Sequence, residues 1–561
     1  MESYQTWFGE GPELSVLRIL GLFDRLADEK AFGVLLKPPA IRGLTESLTN
    51  LSSTEWRTIL ARLRRARLLA AEDPQNPGYL DTHPLVREYF GEQLQSQRTE
   101  AWKECNRRLF EYYRTLAPHL PESFREMEPL FLSVICGCNA GLLRDALHEV
   151  YIPRIQRGKA CFAANVLGAR GPLLSALVHF FEQGNWGSLV ETFSEEHGLT
   201  VEDQLFILMQ AGQLLTATRG MGATEARTCY ERLASLSHSL GRPLPLHVAL
   251  IGLWRYSLLT DKLTATMQIA RRIYSLAQEQ NEAAIMMGAY RALAVTFYFL
   301  GDFESARQHA MLVIQIWRSG GAQLPLEEIA PPAACLCYQA LSEWHLGEIA
   351  SSKANMAEAI SLAKELNDLH ALVLALFYRG LLGSFEGDSA EVERCSSDLL
   401  ELSRLQNFGT WLHGGAILRA WARSVSGKTI EGISRLEDEI KDYRIAGKTL
   451  IVPYYLALKA KALYLANRTA DAVEAIRDAE AMVERFEERW WCAELHRLRG
   501  VFLAAMGVDE GSIEAAFSAA IRIAKEQKSV SLAKRAEATY AEYRRQKASG
   551  SGGRGFRLPL W

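Results

Sequence analysis

Arg57, Arg62, Arg64, Arg65 and Arg67 crowd a short stretch of chain in which Glu55 is the only acid. Guanidinium groups at that density neutralise phosphates, and on a helix they could line a DNA major groove. The other reading is a solvated or domain-docking face. Phosphate contacts carry no sequence information, and outside Leu63–Leu69 no Asn, Gln or Arg cluster is available for base edges. His83 is the second residue of interest. It stands in Asp81-Thr82-His83-Pro84-Leu85 at the start of an apolar helical pattern, where it could simply be satisfied by the backbone at the helix N-terminus.

Nine cysteines (Cys105, Cys136, Cys138, Cys161, Cys229, Cys335, Cys337, Cys395, Cys492) sit mostly in apolar helical stretches, which predicts reduced, buried thiols. In the pairs Cys136/Cys138 and Cys335/Cys337 the side chains point roughly 200° apart on a helix. No Cys-x-x-Cys or His pair stands nearby, so the pattern predicts core packing and no metal site. Gly427-Lys428-Thr429 and Gly447-Lys448-Thr449 have the closing residues of a phosphate-binding loop. The glycine required five residues before each Gly-Lys is Ala422 or Asp442, and neither follows a strand. His, Ser, Asp and Glu are otherwise scattered without a shared turn or elbow. The expectation is a non-enzyme with no catalytic residues and no cofactor of its own.

Lys+Arg number 63 against Asp+Glu 66, and a net charge of −3 excludes general polyanion affinity. The N-terminal residues carry no basic-then-apolar signal, and no run of eighteen uninterrupted apolar residues occurs. The chain is therefore expected to be cytoplasmic, with no membrane partner.

The elements that must position these residues begin with residues 12–96. Leu14, Leu17 and Leu20 form an apolar stripe, Ala27–Leu36 a second short helix stopped by Pro38-Pro39, and Thr54–Leu68 a third, capped by Ser52 or Ser53. Ala70–Leu80 reads as short apolar, turn, short apolar: a β-hairpin. Together they predict a small winged-helix domain whose third helix carries the arginines. Residues 97–200 read as irregular helical pairs.

Residues 201–546 keep a register. In the clearest unit, Tyr290, Leu293, Ala294 and Phe297 precede a Gly301-Asp302 turn, and the small residues Ala306 and Ala310 follow it. Aligning that turn along the chain gives Gly220, Thr260, Gly301, Gly347, Gly387, Gly427, Asn467 and Gly507, spaced by 40, 41, 46, 40, 40, 40 and 40 residues. The step of 46 marks an insertion at residues 320–332. Leu532–Tyr543 reads as a polar capping helix, and residues 547–561 as a flexible Gly/Ser tail with an apolar end, suited either to docking or to disorder.

These hairpins resemble tetratricopeptide (TPR) repeats with a period longer than usual, of the kind found in bacterial transcription activators of the maltose-regulon type. The resemblance implies an all-α fold: a right-handed α-solenoid of about 40-residue hairpins, preceded by the winged helix. It also implies a concave ligand face. Carrying the TPR concave positions onto these turns selects Arg291, Tyr298, Trp344, His345, Phe377, Trp421, Tyr454, Lys461, Tyr464 and Arg497, either aromatic and basic anchors for a protein or peptide ligand or, with the helix phase shifted by a residue or two, inter-repeat core.

The stretch Asp81–Phe90, with the helices before it and the repeats after it, resembles the winged-helix and sensor portion of STAND-type (NB-ARC/NACHT-like) signalling ATPases. His83 matches the family histidine that contacts a nucleotide phosphate in the closed state; Pro84 stands where many members have Asp. The nucleotide-binding core that should precede this portion is missing, with only eleven residues before Pro12. ADP or ATP is therefore expected only if an NTPase core is supplied from elsewhere. The resemblance implies a regulatory sensor that binds a protein or peptide, with an NTPase core or self-association as further partners. The alternative is a DNA-binding transcriptional regulator controlled by the repeats.

Overall fold

The structure, a computed structural model, describes residues 6–23, 27–72, 78–158, 161–190, 197–320, 330–405, 408–549, 556 and 558–561. Contacts divide the chain into two compact units, Met1–Ile207 and Leu208–Trp561. The expected insertion at residues 320–332 and the linker of the tail lie largely outside the described residues.

In the first unit the helices Pro12–Leu20, Glu29–Leu36 and Ser53–Arg65 each bury a leucine completely: Leu17, Leu35 and Leu63. The Ser53 helix starts at a reciprocal capping box. Ser52 Oγ accepts from the Glu55 amide, and the Glu55 carboxylate accepts from the Ser52 amide at 2.8 Å. The expected β-hairpin wing needs correction, because no strand forms among the described residues. What exists is one antiparallel bridge, Ala27 to Leu80, and an Ala70 N–H to Asp81 carbonyl bond of 2.8 Å. The physical reason is in the sequence. Pro74 and Pro77 have no N–H to donate, so a ladder between Ala71 and Tyr79 lacks the donors to extend. Residues 73–77 lie outside the described set. Downstream follow the helices Pro84–Gln97, Thr99–Leu116 and Phe124–Asn139, then a π-helical segment, Ala146–Gln156, that contains Pro153.

The second unit is an array of helical hairpins. First helices such as Ala283–Leu300, Leu369–Glu386 and Val452–Leu465 alternate with second helices such as Phe303–Arg318, Ser389–Leu405 and Thr469–Phe486. Seven of the eight aligned turn positions take positive φ, from 60° at Asn467 to 104° at Gly427. Glycine and asparagine are the residues that adopt this conformation at least cost, which is why they mark the register. Thr260 is the exception: the helix Pro243–Thr260 ends there without a left-handed residue. Ala306 and Ala310 are fully buried, as close helix approach requires.

The array closes on itself. The Phe299 carbonyl accepts from Arg489 N–H at 2.8 Å and Trp490 N–H at 3.2 Å, and the Leu259 carbonyl accepts from Thr449 N–H at 2.8 Å. Glu487 accepts from the Thr264 amide at 3.0 Å, Arg535 donates to the Phe385 carbonyl at 2.7 Å, and Lys528 pairs with Glu304. Hairpins almost five repeats apart in sequence are thus joined by backbone bonds. Two helices, Ala283–Leu300 and Leu369–Glu386, are long and apolar enough to cross a membrane by composition, but each is 67% buried as core of the array.

Candidate functional site: the lumen of the repeat array

The lumen changes the meaning of the ten residues expected on a concave face. Nine of them (Arg291, Tyr298, Trp344, His345, Phe377, Trp421, Tyr454, Lys461 and Arg497) are at most 3% exposed, and Tyr464 is half-buried beside Phe502. They do not form an open surface. The reason is the closure: the first helices face one another across a lumen filled mostly by aromatic rings, so their inward side chains become core. Trp490 and Trp491 fill the centre. The Trp490 ring lies 5.4 Å from Tyr298 and 5.3 Å from Tyr454, Trp491 stacks at 4.5 Å on Phe385, and His345 stacks at 3.8 Å on Phe303. Burial keeps His345 neutral by pushing its pKa down, and its Nδ1 lies 3.1 Å from Ser529 Oγ.

Part of the lumen stays open. A cavity of about 120 Å³ is lined by Trp254, Tyr338, Phe377, Tyr378, Trp411, Tyr443 and Tyr455, with the cations Arg255, Arg291 and Lys448. Those cations are 8%, 3% and 8% exposed. The Arg291 guanidinium lies 5.9 Å from the Trp254 ring centre, and the Lys448 ammonium 5.3 Å from that of Tyr443. Burial lowers the Lys448 pKa. Among the described lining residues there is no carboxylate. Arg291 and Phe377 were in the expected set; Arg255, Trp411 and Lys448 were not. Lys448 belongs to the Gly447-Lys448-Thr449 triplet, whose threonine is tied to Leu259 by its Oγ1 at 2.9 Å and serves the closure.

Ile451, also on the cavity wall, is a β-branched residue with φ of 68°. Such backbone is strained and must be held. The Glu488 carboxylate holds it, accepting from the Ile451 amide at 2.9 Å and from Trp490 Nε1 at 2.6 Å. Burial pushes the Glu488 pKa up to about 7, against the two hydrogen bonds.

A second group of charges lies at the C-terminal end of the array. Glu494, Lys461 and Arg497 are each at most 1% exposed. Glu494 takes Arg497 Nε at 2.8 Å, Lys461 Nζ at 3.1 Å and Arg535 at 3.5 Å. Burial works to raise the Glu494 pKa, and the three cations overcome it and hold the carboxyl well below the usual range. Lys461 is pushed down to about 8, chiefly by burial and partly by its cationic neighbours, with Glu494 opposing.

The first unit's candidates are outside both groups. Arg57, Arg62, Arg65 and Arg67 are exposed and Arg64 half-buried. Arg62 pairs with Glu13 at 3.0 Å and Arg64 with Glu72 at 3.3 Å. His83 is exposed and caps the helix Pro84–Gln97, its Nδ1 accepting from the Leu85 amide at 3.3 Å. Seven cysteines are buried, Cys161 and Cys492 are half-buried, and no three metal-ligating side chains converge among the described residues.

No protein-family model matches this sequence. An uncharacterised protein of Rhizobium meliloti is 21% identical over 343 residues, 60% of this chain. The match spans 33% of that relative's length. Among solved structures, a Rap protein complexed with competence and sporulation factor covers 62% of this chain and 99% of its own (TM-score 0.43, 10% identity). A STAND protein with a tetratricopeptide repeat sensor from Pyrococcus horikoshii covers 91% of this chain and 63% of its own (TM-score 0.33, 11% identity). A human IFIT1 dimer with m7Gppp-AAAA covers 79% and 92% (TM-score 0.37, 14% identity).

Proposed function

We propose that the chain is the sensor and interaction portion of a cytoplasmic, STAND-like regulatory protein, with the repeat unit as its ligand-binding body. The observation that supports this reading is the lumen cavity, where the buried cations Arg255, Arg291 and Lys448 meet a wall of aromatic rings. A space of about 150 Å³ holds benzene in an apolar core, so this one, at about 120 Å³, suits a group smaller than a benzene ring, such as a single carboxylate. That group is the anchor of a protein or peptide ligand. Residues 12–96 supply the helices of such an element, without a strand-built wing among the described residues. With Nδ1 of His83 engaged by the Leu85 amide, Nε2 is the atom left for a phosphate, and ADP or ATP enters only with an NTPase core.

Titration with short-chain carboxylic acids such as acetate and propionate, read as a shift in urea stability, tests the ligand reading. At a hundred times its Kd a true ligand adds about 2.7 kcal/mol, and the gain disappears in Arg291→Met and Lys448→Met. Equal stabilisation by the neutral amide isostere contradicts it. The second reading, a DNA-binding regulator, rests on the exposed Arg57, Arg65 and Arg67. A salt-dependent gel shift abolished by Arg64→Ala with Arg65→Ala would favour it.

A further inference from the structure

The end of the chain does not hang free. Leu558 and Leu560 are 6% and 5% exposed, and the Trp561 ring lies over Gly387, where an added Cβ would stand 2.8 Å from Trp561 Cγ. Lys461 Nζ sits 5.9 Å from the centre of that ring, and Phe556 packs 4.8 Å from Tyr543. The backbone is read as well. Arg497 Nη1 donates to the Pro559 carbonyl at 2.9 Å, and Nη2 to the Leu560 carbonyl at 2.6 Å.

We infer that the groove between Gly387, Lys461, Arg497 and Tyr543 is a peptide-binding site for extended Leu-Pro-Leu-aromatic segments, which the chain's own tail occupies as a tethered ligand. This goes beyond the reading of the lumen cavity, since it uses different residues and a different ligand.

Three features make the groove a built site. With the tail seated Arg497 is fully buried, and Glu494 on one side and Thr539 Oγ1, at 3.1 Å, on the other fix its guanidinium independently of the tail, so its remaining N–H groups are aimed at the peptide backbone. Three cations surround one carboxylate, and the peptide carbonyls supply acceptors that buried guanidinium N–H groups otherwise lack. The aromatic slot exists because position 387 is a glycine with φ of 77°, required by the helix end and leaving the ring room.

The tail matches these demands in composition. Proline has no N–H to leave unsatisfied and stiffens an extended backbone, which lowers the ordering cost of binding. The two leucines supply buried area, and the tryptophan face meets the Lys461 ammonium. The sequence joining this segment to the last helix is Ser549-Gly550-Ser551-Gly552-Gly553, and a short Gly/Ser linker gives an effective concentration in the millimolar range. A second peptide must compete against that.

The test uses the full chain and a fluorescein-labelled Phe-Arg-Leu-Pro-Leu-Trp peptide, read by anisotropy. Leu558→Ser with Leu560→Ser releases the tail, and Trp561→Ala is the second release variant, which leaves both leucines in place. Both should bind the peptide at least tenfold tighter than the unmodified chain, and neither should bind a peptide with Asp for both leucines. Equal binding to released and unmodified chains overturns the inference. So does equal binding of the Asp peptide.

Discussion

Replacing Glu494 by Gln keeps the shape of the side chain and removes the negative charge that Lys461, Arg497 and Arg535 share. At an effective dielectric near 20, a pair about 3 Å apart is worth roughly 5 kcal/mol, most of which offsets the desolvation of both ions. Removing one partner leaves the desolvation uncompensated, and the expected cost is about 3–5 kcal/mol. The molecule has one way to soften the loss. Lys461, already pushed down to about 8, loses its counter-ion and gives up its proton still more readily. The cost of Glu494→Gln should therefore be largest near pH 6 and smaller near pH 9, and Lys461→Met in the same chain should recover part of it. Urea unfolding followed by tryptophan fluorescence at the two pH values measures this. A cost below about 1 kcal/mol at pH 6, or one that does not change with pH, would refute the assignment of Glu494 as the shared counter-ion.

The neighbouring carboxylate should behave oppositely. Because the Glu488 pKa is raised to about 7, the folded state binds its proton more tightly, so its contribution is fully present below the unfolded value of 4.5 and is lost as pH rises through 7. The swing is about 3 kcal/mol at most, and Glu488→Gln should flatten the stability profile between pH 4.5 and 7. For Glu494, whose pKa is lowered, the contribution holds above the unfolded value and is lost only as pH falls towards the strongly depressed folded value. Trp490→Ala removes the centre of the lumen and should cost about 3–5 kcal/mol. Hydrogen exchange should then rise in Ala283–Arg318 as well as in residues 469–526. Rise confined to the second region would mean the distant hairpins do not depend on this contact.

The repeat register was legible because it is written in backbone chemistry. Gly301, Gly347, Gly387, Gly427, Asn467 and Gly507 end helices in the left-handed region, and few other residue types do so cheaply. The closure was not legible. Superhelical curvature accumulates from small rotations at each interface, and no single residue encodes it. From sequence the ten inward residues could be either ligand-facing or inter-repeat core, and nine of them are buried. A signal did exist for part of this. Glu494-x-x-Arg497 on one helix face, with Lys461 on the preceding first helix, is a buried ion group in outline, and adjacent Trp490-Trp491 at a turn is costly unless buried. In the first unit, helix starts were legible from Ser52 and Glu55, whereas the strand expectation failed because two prolines remove the donors a hairpin needs.

The central claim is that the array closes, and the contact between the turn at Asp302 and the start of the last helix tests it most directly. With Cys161 and Cys492 changed to Ser, the pair Glu304→Cys and Lys528→Cys replaces a salt bridge between residues 224 apart. A short thiol-reactive cross-linker at low protein concentration should join the two positions within one chain in nearly every molecule. Absence of that intramolecular product, with both thiols reactive to a monofunctional reagent, would contradict closure and return the ten inward residues to an open face.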